Sequence, residues 1–148
     1  MKSTYDQIWE AALRKLESRA QSKTELIRKL TEKFPGDRGT ILQIIEEMER
    51  IHLLSDHRFT EEYVHHLIQK PIGRLKIMME TRRKGLSDDM VEQALLDAGY
   101  DEESACREAA KQKSAFIREE DPRRYKQKLM NFLRNRGFKD STIYQALK

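Results

Sequence analysis

Ten cations in two short stretches are the side chains whose type and spacing could do chemistry. Arg74, Lys76, Arg82, Arg83 and Lys84 form one group; Arg123, Arg124, Lys128, Arg134 and Arg136 form the other. Residues 70–85 hold six Lys/Arg and only Glu80 as an acid, and residues 122–148 hold eight Lys/Arg and only Asp140. Acids are too scarce there for ion pairing within the helix to account for the charge. Residues 86–106 reverse the pattern, with seven acids and no Lys/Arg. Segregated cations of this kind track phosphates or an acidic protein surface. Arg14, Lys15, Arg19, Lys23, Arg28 and Lys29 extend the pattern toward the N-terminus. Base readout is not suggested, because Tyr125 and Phe132 sit at core spacing.

Other chemistries find less support. His52, His57, His65 and His66 cluster in sequence, and Glu62-x-x-His65 has the spacing of half a di-iron helical site. Such a site needs a second copy and further carboxylates on facing helices. The pair reads as a polar helix face, and no metal is expected. Gly36 and Gly39 lack the following Lys-Ser/Thr of a phosphate loop. Cys106, the one cysteine, sits among Ala105, Ala109 and Ala110 and reads as packing. With no pair to oxidise, the cytoplasm is the expected compartment. No apolar run reaches the roughly 20 residues of a membrane span. The expectation is a protein that is not an enzyme, carries no cofactor and touches no membrane.

The elements that must position the cations are helices. Leu, Ile, Lys, Arg, Glu and Gln dominate a chain of 148 residues, 36% of them charged, which favours helix over strand. A signature occurs twice: Lys84-Gly85-Leu86-x-Asp88 leading to Val91 and Ala94-Leu95 returns as Arg136-Gly137-Phe138-x-Asp140 leading to Ile143 and Ala146-Leu147. A repeat near 50 residues means an array of one unit rather than a single-core enzyme.

Apolar spacing and caps place nine helices. The first lies near 6–20 through Trp9, Ala12, Leu13 and Leu16. Ser22 and Glu25 form a capping box that opens the second, carrying Leu26, Leu30 and Phe34. The third, near 39–53, uses Ile41, Leu42, Ile45 and Met48. Phe59, Tyr63 and Leu67 mark a helix near 56–70; Leu75, Met78 and Met79 one near 73–84, read as core; Val91, Ala94 and Leu95 one near 88–98, closed by Gly99. Ala105, Ala109 and Phe116 mark 102–118. Asp121-Pro122 opens a helix through Tyr125, Leu129, Phe132 and Leu133 that ends at Gly137, and the last spans about 140–148. The fold expected is all-α: three tandem three-helix repeats, divided 1–54, 55–100 and 101–148. The first repeat is atypical, because Phe34-Pro35-Gly36-Asp37 replaces the cation-Gly-apolar corner.

On these residues the chain resembles the RecX family, bacterial regulators of the RecA recombinase. The likeness rests on Leu16-x-x-Arg19-x-x-Ser22-x-x-Glu25-Leu26-x-x-x-Leu30, on Leu54-Ser55-Asp56-x-Arg58-Phe59-x-x-x-Tyr63 with Gly73-Arg74 and Lys84-Gly85-Leu86, and on Lys128-Leu129-x-x-Phe132-Leu133-x-x-Arg136-Gly137-Phe138. The resemblance implies that the repeats form an elongated, curved array, with binding to the RecA filament on single-stranded DNA, inhibition of its ATPase, strand-exchange and coprotease activities, and a bearing on the SOS response, recombination and repair. It also implies direct DNA binding in some members, and a monomer is expected. The rival readings are a nucleic-acid-binding helical repeat protein that acts without RecA and a plain protein-interaction scaffold.

Overall fold

The structure is a computed structural model that describes all 148 residues. It is all-α, with nine helices: α1 (Thr4–Ser18), α2 (Lys23–Lys33), α3 (Arg38–Arg50), α4 (Asp56–Leu67), α5 (Arg74–Arg83), α6 (Asp88–Asp97), α7 (Glu102–Ser114), α8 (Pro122–Asn135) and α9 (Asp140–Ala146). They gather in threes, and each triplet closes its own apolar core. Ile8, Leu26, Leu30, Ile41, Ile44, Ile45 and Met48 fill the first. Phe59, Val64, Ile77, Val91 and Leu95 fill the second. Cys106, Leu129, Leu133, Phe138 and Ile143 fill the third. All the extensive helix-to-helix packing lies within a triplet, so what holds one triplet to the next is confined to narrow joints.

Local chemistry explains where the helices begin and end. Ser22 and Glu25 make the expected capping box, each side chain meeting the other's backbone N–H. The Asp121 carboxylate accepts from the Arg123 N–H, and Pro122 takes the first helical position, where no N–H is needed. The cation-Gly-apolar corner proves to be a helix C-cap. Lys84 and Arg136 are the cap residues, and Gly85 and Gly137 follow at φ 74° and 92°, where a Cβ is disfavoured. Leu86 and Phe138 then donate their N–H groups back to the Thr81 and Leu133 carbonyls and bury their side chains in the cores. Apolar burial holds the corner shut from the far side.

Several residues read as core are not buried. α7 stops at Ser114, so Phe116 leaves the helical face that Ala105 and Ala109 define and stands 76% exposed. On α5 the buried apolar residue is Ile77; Leu75 and Met79 face outward, and Met78 is half-buried. Leu42 likewise gives way to Ile44 on α3. On α3 and α5 the apolar residue sits one or two positions off the face that meets its neighbours, a phase that only the docked helices decide. Cys106 is buried in the third core, where loss of water pushes its thiol up to about 11.

Candidate functional site

Most of the predicted cations lie on α5 and α8, where Ile77 and Thr81 on one, and Leu129 and Leu133 on the other, turn the opposite faces inward; Lys84 and Arg136 follow as the C-cap residues. Most are neutralised by carboxylates from outside their own helix. Arg82 makes a two-pronged pair with Asp88 (3.1 and 2.8 Å), and Arg134 repeats it with Asp140 (2.7 and 3.1 Å). These pairs account for the recurring Asp of the signature. Each Asp stands in the first turn of its helix, where the dipole favours an anion, and the facing guanidinium holds its carboxyl below the usual range. Arg74 pairs with Glu92, Arg83 with Glu80, Lys84 with Glu25, Arg124 with Asp121 and Lys128 with Glu119. Seven of the ten are thus ion-paired, six of them through acids that lie outside their helix in sequence. Lys76, Arg123 and Arg136 have no carboxylate within 4 Å.

Two of those three free cations sit at one joint, and the joints share a construction. In both, the C-cap corner of one unit docks on the N-terminus of the second helix of the unit before it. At the first joint the Ser22 hydroxyl donates to the Lys84 carbonyl (2.7 Å), and the Lys23 N–H donates to the carboxylate of Asp56, the first residue of α4 (2.8 Å). At the second joint the Gly73 N–H donates to the Arg136 carbonyl (2.8 Å). There the Arg74 N–H donates to the carboxylate of Glu102, the first residue of α7 (2.6 Å). The other Glu102 oxygen accepts from Thr142 (2.7 Å). A carboxylate borrowed from the next unit therefore caps each helix N-terminus.

The electrostatics of the two joints diverge three residues into the helix. Glu25 occupies that position in α2. It is 2% exposed and receives Lys84 Nζ at 2.9 Å and Arg19 at 3.1 Å. Burial by itself would raise its pKa. Hydrogen bonds from Lys84, the Ser22 N–H and Arg19 outweigh that and bring it down to about 2. The same position in α5 is Lys76, and the counterpart of Lys84 is Arg136. Both line one cleft of about 660 Å³ between α4, α5 and α8, together with His66, Gln69, Lys70 and Asn135. Its one carboxylate, Glu80, pairs with Arg83 at 3.5 Å.

A second cleft of about 600 Å³ shares Phe132 and Asn135 with the first and adds Lys113, Phe116, Arg118 and Lys128. Phe132 is half-buried, with Lys113 Nζ at 5.1 Å and the Arg136 guanidinium at 4.9 Å from its ring. Sequence reasoning missed Lys70, Lys113, Phe116 and Arg118 because they belong to the α4–α5 and α7–α8 connections and the end of α7. The available signal was the aromatic-and-cation run Lys113-x-x-Phe116-x-Arg118. Among His, Cys, Asp and Glu, no three converge as a metal site. No helix is long and apolar enough to cross a membrane.

An array of three-helix units, with two half-buried unpaired cations at its second joint, is a helical-repeat protein. Comparison with known proteins agrees. Residues 55–95 match the second three-helix domain of RecX, and residues 101–147 match the third. Regulatory protein RecX of Pelodictyon phaeoclathratiforme is 40% identical over 138 residues, covering 93% of this chain and 84% of that one. The protein of the same name from Chlorobaculum tepidum is 35% identical over the same shares. The crystal structure of RecX from Lactobacillus salivarius superposes with a TM-score of 0.81 over 97% of this chain and 94% of that one, at 21% identity, a likeness of fold. This chain belongs to the RecX family of regulatory proteins.

Proposed function

We propose that this protein regulates the RecA recombinase, binding the filament that RecA forms on single-stranded DNA and mostly lowering its ATPase, strand-exchange and coprotease activities. The observation that carries this reading is membership of the RecX family. It acts by occupancy rather than by catalysis, in the cytoplasm, as a monomer, and touches recombination, repair and the SOS response through RecA. The units 1–54, 55–100 and 101–148 are its three binding segments. Separate cores tied by narrow joints let such an array lie along a helical partner and touch more than one filament subunit. Restraining the movement between those subunits slows ATP turnover. The cations Arg74, Lys76, Arg82, Arg83, Lys84, Arg123, Arg124, Lys128, Arg134 and Arg136 supply the face toward DNA phosphates or acidic RecA surface, with unpaired Lys76, Arg123 and Arg136 the most available.

The test is the single-stranded-DNA-dependent ATPase of the cognate RecA, titrated with this protein. Inhibition well below one molecule per RecA indicates capping or long-range locking, and inhibition near one-to-one indicates coating of the groove. No effect at any ratio, with bare DNA still bound, returns the protein to the rival reading of a nucleic-acid-binding repeat that acts without RecA. The unpaired cations at the second joint are what keep that rival in play.

A further inference from the structure

We infer that the joint between the second and third units is a binding site for single-stranded nucleic acid. A backbone phosphate sits between Lys76 and Arg136, and a base stacks on Phe116. The inference rests on the nucleic-acid-filament reading above and assigns a place and a ligand form to it.

The first joint shows what the second lacks. Its helix position carries Glu25, whose carboxylate bridges to Lys84 and is held ionised by that contact. The second joint reproduces the backbone latch, but cations stand at both equivalent positions, Lys76 and Arg136, and no acid within 4 Å neutralises either. Two like charges lining one cleft repel, and an external anion removes that repulsion.

The neighbouring surface selects a strand over a lone ion. The two clefts share Phe132 and Asn135, and of the six cations that line them only Lys128 is paired, with Glu119; Glu80 is the one carboxylate in either lining. Phe132 fixes two of those cations, Lys113 and Arg136, around its ring. Phe116, beyond them, is 76% exposed and takes no part in the third core. A positive groove with a free aromatic face is the recognition chemistry of unpaired strands. In a duplex the base faces are covered by their neighbours, and Phe116 could not reach them.

Fluorescence anisotropy of a labelled oligothymidylate of about 15 nucleotides tests this, using the full chain, Lys76→Glu and Phe116→Ala. Lys76→Glu places a carboxylate against Arg136 as Glu25 stands against Lys84, so the fold keeps or gains stability while the phosphate site closes. Affinity falls at least tenfold, and the slope of log affinity against log salt shrinks by about 0.7, the value for one lost phosphate contact on a single strand. Phe116→Ala weakens binding roughly tenfold with the salt slope unchanged. Unaltered affinity in both variants overturns the proposal. So does equal binding of a duplex, and so does displacement of the oligonucleotide by polyglutamate at equal charge, which would give the cleft to an acidic protein. If the wild type ignores the oligonucleotide yet inhibits the RecA filament, the cleft assignment fails and the regulator reading stands. If it binds the strand through this cleft and leaves the filament untouched, the regulator reading fails instead.

Discussion

The joint between the first and second units and the joint between the second and third are the same latch with opposite electrostatics. Both dock a helix C-cap on a helix N-terminus, and both borrow a carboxylate from the following unit, Asp56 in one and Glu102 in the other. The first joint then closes its charge internally, with Glu25 between Lys84 and Arg19. The second closes its backbone instead. A Cβ on Gly73 would stand 2.2 Å from the Gly137 carbonyl oxygen, and one on Gly137 would stand 2.4 Å from the Lys76 Cβ. Main chain meets main chain there, and the side-chain charge is left over. A repeat thus keeps the geometry of assembly while leaving the cations of one copy without an internal carboxylate.

The comparison breaks most severely at Gly73. Its φ of −87° suits any residue, so Gly73→Ala strains nothing locally and acts only by prising the second joint apart. Overpacking against backbone together with two lost cross-joint hydrogen bonds amounts to about 3 kcal/mol. Hydrogen exchange should show the Gly73 amide, which donates to the Arg136 carbonyl, and the Leu75 amide, which donates to the Gly137 carbonyl (3.1 Å), losing protection while amides in the third core keep theirs. Retention of protection at both would mean that the joint is slack.

Glu25→Gln comes next. A carboxyl lowered from 4.5 to about 2 contributes on the order of 3 kcal/mol at neutral pH. Because the folded pKa lies below the unfolded one, that contribution is complete above about pH 4.5 and is lost as pH falls toward 2. Urea denaturation of wild type and variant should therefore differ at pH 7 and converge at low pH. Glu102→Ala removes the α5 cap and the Thr142 contact and costs about 1–2 kcal/mol, measurable as a lower urea midpoint. Arg82→Ala and Arg134→Ala have the smallest effect. Their exposed pairs exchange freely with water, and thermal melts should hardly move; a large fall would make the Asp88 and Asp140 pairs part of the fold's stability rather than its surface.

The helices were largely legible in the sequence because their evidence is local. Ser22 with Glu25, Asp121 with Pro122 and the glycines at 85, 99 and 137 act within a turn of where they stand. Phe116 was misread because a period of 3.6 residues extends on paper past the point where α7 stops. The site was only half legible. The cations were visible, but their partners were not: Lys84 meets Glu25 across 59 residues and Arg74 meets Glu92 across 18, distances that no helical spacing rule reaches.

The sequence by itself determined an all-α chain, a repeated unit and the cation-Gly-apolar corner, since propensity, periodicity and caps are properties of neighbours along the chain. Tertiary structure alone decided what the corner is for and which cations remain free. Neutralisation depends on approach in space, and docking one unit on the next put Glu25 against Lys84 while leaving Lys76 and Arg136 in one cleft without an acid between them.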